Sequence, residues 1–131
     1  MKYVPPFNSL RDHLKITMVR GTPTPNMTND DIKKLISRLL YMVDVDEEWY
    51  LTRHPDIAQA VREGRSRSGR DHFVNIGYFE GRQPFPMTVD EEWYLSENPA
   101  VAEAIREGTM KSAQQHFDQR GYREGRLPYP L

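Results

Sequence analysis

The sequence lacks cysteine, so disulfide bonds, thiol catalysis and thiolate zinc sites are excluded. It also lacks long apolar runs: the longest spans residues 39–43, and the first residues contain no stretch of signal-peptide length. We therefore expect a cytoplasmic protein without a membrane span. The formal net charge of −1 argues against a protein that holds nucleic acid mainly by neutralising phosphates.

What the sequence does contain is an internal repeat with an offset of 44 residues. The segment Val-Asp-Glu-Glu-Trp-Tyr-Leu at 45–51 returns unchanged at 89–95, and 23 of the 42 positions of 45–86 are identical in 89–130. Such units are stabilised by packing on their neighbours. We expect one compact domain with three parts: an N-terminal arm and helix (1–44), repeat 1 (45–86) and repeat 2 (89–130).

Polar caps, prolines and glycines divide each repeat into three short helices and a final turn. Serine, aspartate and asparagine favour the residue before a helix, proline its first position, and glycine the residue after it. The fold class predicted is therefore mainly all-α. The predicted boundaries, in repeats 1 and 2, are the first caps Asp46 and Asp90, the second caps His54 and Asn98 before Pro55 and Pro99, the helix ends Gly64 and Gly108, the third caps Ser68 and Ser112, and the third ends Gly77 and Gly121.

Large apolar side chains recur at equivalent positions of the two repeats, and none of these helices is long enough to be stable alone in water. We expect the repeats to fold by burying these side chains, partly against each other. One histidine per repeat supplies too few ligands for a metal site, so we expect hydrogen-bonded packing roles for His72 and His116, and no metal or cofactor. The predicted core consists of Trp49, Leu51, Ile57, Val61 and Phe73, with Trp93, Leu95, Val101, Ile105 and Phe117.

The first 44 residues carry one strong helical pattern. Apolar residues at helical spacing predict an amphipathic helix from Thr28 to Val43, capped by Thr28 or Asn29 and packed on repeat 1 in place of a missing neighbour. Residues 21–25 are predicted to be a loop. The alternation in 13–20 predicts a single strand, whose partner would be another chain, giving a dimer or an open edge. If this segment is helical or irregular, that inference disappears.

The repeat pattern resembles one known elsewhere. The string Asp-x-x-Trp-Tyr-Leu-x-x-(His/Asn)-Pro-x-(Ile/Val)-Ala, followed by His-Phe and by Gly-Tyr-x-Glu-Gly-Arg-x-Pro, resembles repeats appended to bacterial glycosyltransferases and to other proteins of surface-polysaccharide synthesis. The resemblance covers residues 45–130. In those proteins the chemistry belongs to other domains, so it implies an accessory or adaptor role and no catalytic residues.

The leading functional hypothesis is therefore a non-enzymatic interaction or adaptor protein with a protein partner, accessory to bacterial surface-polysaccharide synthesis, and able to form a homodimer or a higher self-assembly. The carboxylates of 46–48 and 90–92 fit a helix start better than acid/base catalysis. We do not expect nucleic acid as the main partner.

Two alternatives stay open. A small carbohydrate-binding module would use aromatic and cationic side chains of the final turns, provided that they are exposed on one face: Tyr78, Arg82, Tyr122 and Arg126. A regulatory nucleic-acid binder would use the basic cluster of repeat 1, which the second repeat does not share: Arg62, Arg65, Arg67 and Arg70.

Overall fold

The computed structural model describes residues 16–19 and 22–131, with side chains from residue 26 onwards. The protein is mainly α-helical, as predicted. In chain order its elements are β1 (Ile16–Val19), β2 (Thr22–Pro25), α1 (Asn29–Leu40), α2 (Glu47–Arg53), α3 (Pro55–Arg62), α4 (Gly69–His72) continuing into a π-helical turn, π1 (Phe73–Gly77), α5 (Glu91–Glu97), α6 (Pro99–Arg106), and α7 (Ala113–His116) continuing into π2 (Phe117–Gly121).

The N-terminal strand prediction needs correction. A strand occupies Ile16–Val19, but it pairs antiparallel with Thr22–Pro25 of the same chain, with Val19 opposite Thr22. The predicted loop at 21–25 was therefore wrong for 22–25, and so was the expectation of a single strand. Because β1 finds its partner two residues further along, the argument for pairing with another chain no longer holds.

Helix α1 packs on repeat 1 as expected, although it ends at Leu40 rather than at Val43. Thr28 caps it reciprocally: the Asp31 amide donates to Thr28 Oγ1 at 3.2 Å, and the Thr28 amide donates to Asp31 Oδ2 at 3.0 Å. Its inner face meets the π turn, where Ser37 Oγ donates to the carbonyl oxygen of Val74 at 3.1 Å. Leu40 is buried at the same contact surface.

Most of the predicted boundaries inside the repeats are confirmed. The caps Asp46, Asp90, Ser68 and Ser112 each accept a hydrogen bond from the backbone three residues on, and Gly64 and Gly108 have φ of 73° and 77°. His54 and Asn98 also directly precede α3 and α6, as predicted, but neither side chain makes a capping hydrogen bond. The Asn98 amide instead donates to the carbonyl oxygen of Tyr94 at 2.7 Å.

Each repeat has a core of its own. In repeat 1, Tyr50, Phe73 and Val74 are at most 1% exposed, and Tyr94 and Phe117 of repeat 2 are fully buried. Trp49 and Trp93, predicted as core, are only partly buried and pack against these clusters from outside, as do Leu51, Leu95 and Ile105. Val61, also predicted as core, is partly buried as well. The tyrosine that follows each tryptophan takes the central position instead.

The connection between the repeats is made by the turn that ends repeat 1, not by its helices. Among the described elements, no helix of repeat 1 contacts a helix of repeat 2. The two cores share no residue, so the expected burial of one repeat against the other is small. The described part of the chain contains no helix that is long and apolar enough to cross a membrane.

Candidate binding groove between the repeats

The final turn of repeat 1 lies against the final turn of repeat 2, and an open groove of about 660 Å³ forms between them. Both turns begin directly after a π-helical turn, which sets the direction of their first tyrosines. The lining of the groove consists of Tyr78, Phe79, Glu80, Gly81, Tyr122 and Arg123.

The two tyrosines form the aromatic walls of this groove and are held from behind by the repeat cores. Tyr78 meets Phe73 edge to face at 6.2 Å between ring centroids, and Tyr122 meets Phe117 in the same way at 6.1 Å. Burial, and next the neighbouring Tyr78, raises the pKa of Tyr122, so its hydroxyl stays protonated. The tyrosines offer rigid rings with a hydrogen-bonding tip, which suits recognition surfaces.

Phe79 extends the aromatic surface towards α1. Its ring meets Tyr78 edge to face at 5.3 Å, and the Lys33 ammonium lies 5.6 Å from its centroid. A second open depression on the α1 side of Phe79 is lined by Lys33, Ser37 and Tyr41, among others. The aromatic surface therefore continues from the groove onto α1, with a cation at that edge.

The two charged groups of the groove, Glu80 and Arg123, differ in their ion pairing. Glu80 is held by Arg82, whose Nε lies 2.8 Å from Glu80 Oε2. Arg123 is exposed and lies across Gly81, where a Cβ would come within 2.9 Å of its Cγ; no ion pair of Arg123 is seen among the described residues. Glycine at 81 therefore allows this close approach, and its φ of 73° is the conformation that glycine adopts readily. The groove offers aromatic faces and one cation.

The four residues predicted for carbohydrate binding are only partly brought together. Tyr78 and Tyr122 share the groove, whereas Arg82 and Arg126 lie outside its lining. Arg82 binds Glu80 and approaches Asp56 at 3.9 Å. Arg126 binds Glu124 at 2.7 Å and also the Asn98 side-chain oxygen. The arginines therefore tie each final turn to its own repeat, and the cation present in the groove is Arg123, which sequence reasoning missed.

The basic cluster predicted for nucleic-acid contact is partly used internally. Arg65 forms an ion pair with Glu63 at 2.5 Å, and Arg70 donates to the carbonyl oxygen of Tyr41. Arg62 and Arg67 are exposed. Four clustered arginines in sequence thus become two engaged and two outward-facing side chains, which weakens the electrostatic argument for phosphate binding.

A buried polar pair was only half predicted. The Tyr50 hydroxyl lies 2.9 Å from Nδ1 of His72, and Tyr94 makes the same 2.9 Å bond to His116. The hydrogen-bonded packing role expected for the histidines is confirmed, but the partner tyrosines were missed. The signal was available, because tyrosine and histidine recur 22 residues apart in both repeats. Burial, and next the charge of Arg82, lowers the pKa of His72.

Burial shifts the pKa of the other members of these pairs as well. It raises the pKa of Tyr50 to about 12 and, more mildly, the pKa of Tyr94. It also lowers the pKa of His116, with a smaller contribution from Arg126. All four groups are therefore held in their neutral forms near pH 7, as hydrogen-bonded core components rather than as charged ligands.

Glu47 is a further residue whose role sequence reasoning missed. Its carboxylate accepts hydrogen bonds from the backbone amides of Gly69 at 2.6 Å and Arg70 at 2.9 Å, at the start of α4. This acidic residue joins the first helix of repeat 1 to the third. The second residue of the acidic run therefore has a structural role at a helix N-terminus, where a negative charge is favourable.

Comparison of the chain with protein-family models, with curated proteins and with solved structures finds no match.

Proposed function

We propose that this chain is a non-enzymatic interaction protein that binds a protein partner in the groove between its two repeats. The observation that supports this proposal is the meeting of Tyr78 and Tyr122, 44 residues apart in sequence, on one open surface beside the cation Arg123. Tyrosine and arginine are enriched where binding energy concentrates in protein interfaces. A partner segment with an acidic residue between apolar ones would complement these side chains.

The resemblance of the repeats suggests where to look for the partner. Proteins of bacterial surface-polysaccharide synthesis are the first class to test, with this chain as a cytoplasmic accessory or adaptor. Repeat proteins present such surfaces on a stacked scaffold, so binding needs no large rearrangement of the groove.

The test is a comparative capture experiment. Wild-type protein and the variants Tyr78→Ala, Tyr122→Ala and Arg123→Glu are used as bait in native cell extract, with Tyr129→Ala as a matched control. Tyr129 is 48% exposed and lines neither the groove nor the depression beside α1. We expect a stoichiometric partner with the wild type and with Tyr129→Ala, and at least about tenfold weaker binding for each groove variant, the loss typical of an interface anchor. A partner held equally by all variants would refute the groove as the binding surface.

A carbohydrate ligand is the second candidate function. It is favoured by the two tyrosine rings, because a sugar ring can stack on an aromatic face while its hydroxyl groups bond to the tyrosine tips. Titration of isotope-labelled protein with a panel of neutral and acidic oligosaccharides would test it. Shifts confined to the backbone resonances of 78–81 and 122–123, lost in Tyr78→Ala, would support this candidate. No shift at millimolar ligand would remove it.

A further inference from the structure

Another cleft lies within repeat 1, between the loop that follows α3 and the residues of α4 and π1. Its volume is about 550 Å³, within the range of about 300–1,000 Å³ that is typical of small-molecule sites. It shares no lining residue with the groove. We call it the loop cleft, and the side chains of its lining include Ile57, Ala60, Arg67, Asp71, His72 and Ile76.

In repeat 2 the equivalent loop is closed by a side chain. Gln115 Oε1 accepts a hydrogen bond from the backbone amide of Lys111 at 3.0 Å. Repeat 1 has Asp71 and Arg67 at these positions, but the Asp71 side chain accepts from Asn75 Nδ2 at 3.3 Å instead. The Arg67 amide makes no hydrogen bond with the described residues. A ligand oxygen can therefore take the position that Gln115 Oε1 has in repeat 2.

His72 adds a second donor to the lining of the loop cleft. It is only 8% exposed, and its Nδ1 is bonded to the buried hydroxyl of Tyr50. That hydroxyl has no other acceptor in the described chain, so it donates to Nδ1, and the proton of the neutral ring lies on Nε2. Within the same residues Nε2 has no partner, and leaving such a group unpaired is unfavourable. It is available to donate to a ligand oxygen.

Opposite charges line the loop cleft without pairing to each other. Neither Arg67 nor Asp71 forms an ion pair with any described residue. Arg65, the remaining charged side chain of the lining, is bound to Glu63. A ligand with a carboxylate and an ammonium group close together would complement both free charges, whereas a dianion would be repelled by Asp71.

The rest of the ligand follows from the apolar part of the lining. Ile57 and Ala60 are buried, whereas Ile76 is 48% exposed, so an apolar group placed over it would remove apolar surface from water. We propose that the loop cleft binds a free α-amino acid with an apolar side chain. Its carboxylate accepts hydrogen bonds from the amide and guanidinium of Arg67 and from His72 Nε2, and its ammonium group lies at Asp71.

Titration of the isotope-labelled full chain with L-leucine tests the proposal, together with two probes that each lack one charge. The first, 4-methylpentanoate, has no ammonium group, and the second, 3-methylbutylamine, has no carboxylate. We expect leucine to shift the backbone resonances of 64–72 with saturation in the millimolar range. The dissociation constant should be at least about tenfold larger for either analogue, because each leaves one charge of the cleft without its partner.

Three variants make the assignment specific. Asp71→Gln gives repeat 1 the residue of repeat 2, whose side chain should bind the Arg67 amide and close the site. Arg67→Gln removes the guanidinium, and Arg62→Gln is the control of equal charge, since Arg62 is exposed and does not line the cleft. We expect at least about tenfold weaker leucine binding for the first two and unchanged binding for the control. Thermal unfolding of each variant verifies that it folds.

No saturable shift with leucine at millimolar concentration would overturn the proposal, as would equal affinity for 4-methylpentanoate. A loss in Arg62→Gln as large as that in Arg67→Gln would also refute it. Shifts confined to 78–81 and 122–123 would place leucine in the groove and not in the loop cleft. Tyr78→Ala should leave leucine binding unchanged, so failure of this proposal is distinguishable from failure of the groove as a partner site.

Discussion

The hydroxyl of Tyr50 and Nδ1 of His72 are joined by a buried hydrogen bond of 2.9 Å, and the second repeat reproduces it between Tyr94 and His116. Both tyrosines are fully buried and meet the phenylalanine after the histidine edge to face, with centroids 6.0 Å apart. The bond ties the first helix of each repeat to the third. In such a small core, the satisfied hydrogen bond stabilises one orientation of the tyrosine ring.

Replacing Tyr50 or Tyr94 by phenylalanine should destabilise the protein. The ring remains, but the buried histidine nitrogen loses its partner, which costs about 1–3 kcal/mol. Urea unfolding of each variant, followed by circular dichroism, measures the change in the free energy of unfolding. Tyr78→Phe is the control, because Tyr78 is 40% exposed and should cost less than about 0.5 kcal/mol. Equal losses at Tyr50 and Tyr78 would contradict the role assigned to the buried bond.

Gly77→Ala should destabilise repeat 1 even though alanine favours helices over glycine. A Cβ at this position would collide with the Tyr50 hydroxyl oxygen, as one at Gly121 would with Tyr94. Overpacking of this kind costs about 1–3 kcal/mol and outweighs the helix propensity gain of about 1 kcal/mol.

The collision has an internal rescue. Tyr50→Phe removes the oxygen, and the next ring atom, Cζ, would lie 3.5 Å from the alanine Cβ, an ordinary contact. Tyr50→Phe should therefore lower the free energy of unfolding less in the Gly77→Ala background than in the wild type. In a double-mutant cycle, the coupling free energy between the two sites should be about 1 kcal/mol or more. Free energies that add to within about 0.5 kcal/mol would show that the two sites do not interact as described.

Stability should decrease as the pH falls below about 6.5, the usual pKa of an unfolded histidine. The pKa values of His72 and His116 are lowered in the folded protein, first by burial and next by Arg82 and Arg126 respectively. Below pH 6.5 the unfolded chain thus binds more protons than the folded chain, and acid favours unfolding. Above that pH this contribution is fully present.

Urea unfolding at pH values between about 8 and 5 measures this dependence, in a window above the range where the carboxylates take up protons. His54, whose pKa is also lowered by burial, contributes in the same direction. An unfolding free energy that does not change from pH 8 to pH 5 would contradict neutral, buried histidines. At the alkaline end the raised pKa of Tyr50, about 12, predicts a second loss of stability above about pH 10.

His54→Asn should stabilise repeat 1, because the asparagine at the equivalent position of repeat 2 satisfies its hydrogen bonds and His54 does not. The buried Nε2 of His54 has no hydrogen-bond partner. Asn98, at the equivalent position, donates to the carbonyl oxygen of Tyr94 and accepts from Arg126. With Arg82 available in the same place, the exchange should gain about 1 kcal/mol in urea unfolding.

The reverse exchange, Asn98→His, is the matched control and should destabilise repeat 2. An unchanged or lowered stability of His54→Asn would mean that the edge contact of His54 with the Tyr50 ring, at 4.6 Å between centroids, outweighs the missing hydrogen bond.

The helix boundaries were predicted best where the interactions that set them lie within a few residues along the chain. Asp46, Ser68 and their counterparts were assigned correctly because a capping side chain reaches an amide only three residues away. Gly64 and Gly108 were assigned correctly because a left-handed helix end favours glycine in any context. His54 and Asn98 occupy the predicted positions before α3 and α6, but neither side chain caps its helix. The Asn98 side chain bonds instead to Tyr94 and Arg126.

The composition of the core and of the groove depends on contacts between residues far apart in the sequence. Apolar character alone favoured Trp49 over Tyr50, but His72 lies 22 residues further on and supplies the one partner that lets a tyrosine hydroxyl be fully buried. Tyr78 is 40% exposed, whereas Tyr122 is partly buried against the core of repeat 2. The sequence did not indicate this difference, nor that Arg82 and Arg126 would turn inward to their own repeats.

By itself the sequence determined the repeat, its helices and most of their ends, because repetition and capping are readable within a few residues. Only the tertiary structure decided that the two repeats touch through a turn, that Arg123 rather than Arg82 joins the tyrosines, and that Gln83 is covered while Leu127 is not. The physical reason is that burial depends on what lies across from a side chain, and two repeats of nearly the same sequence have different neighbours.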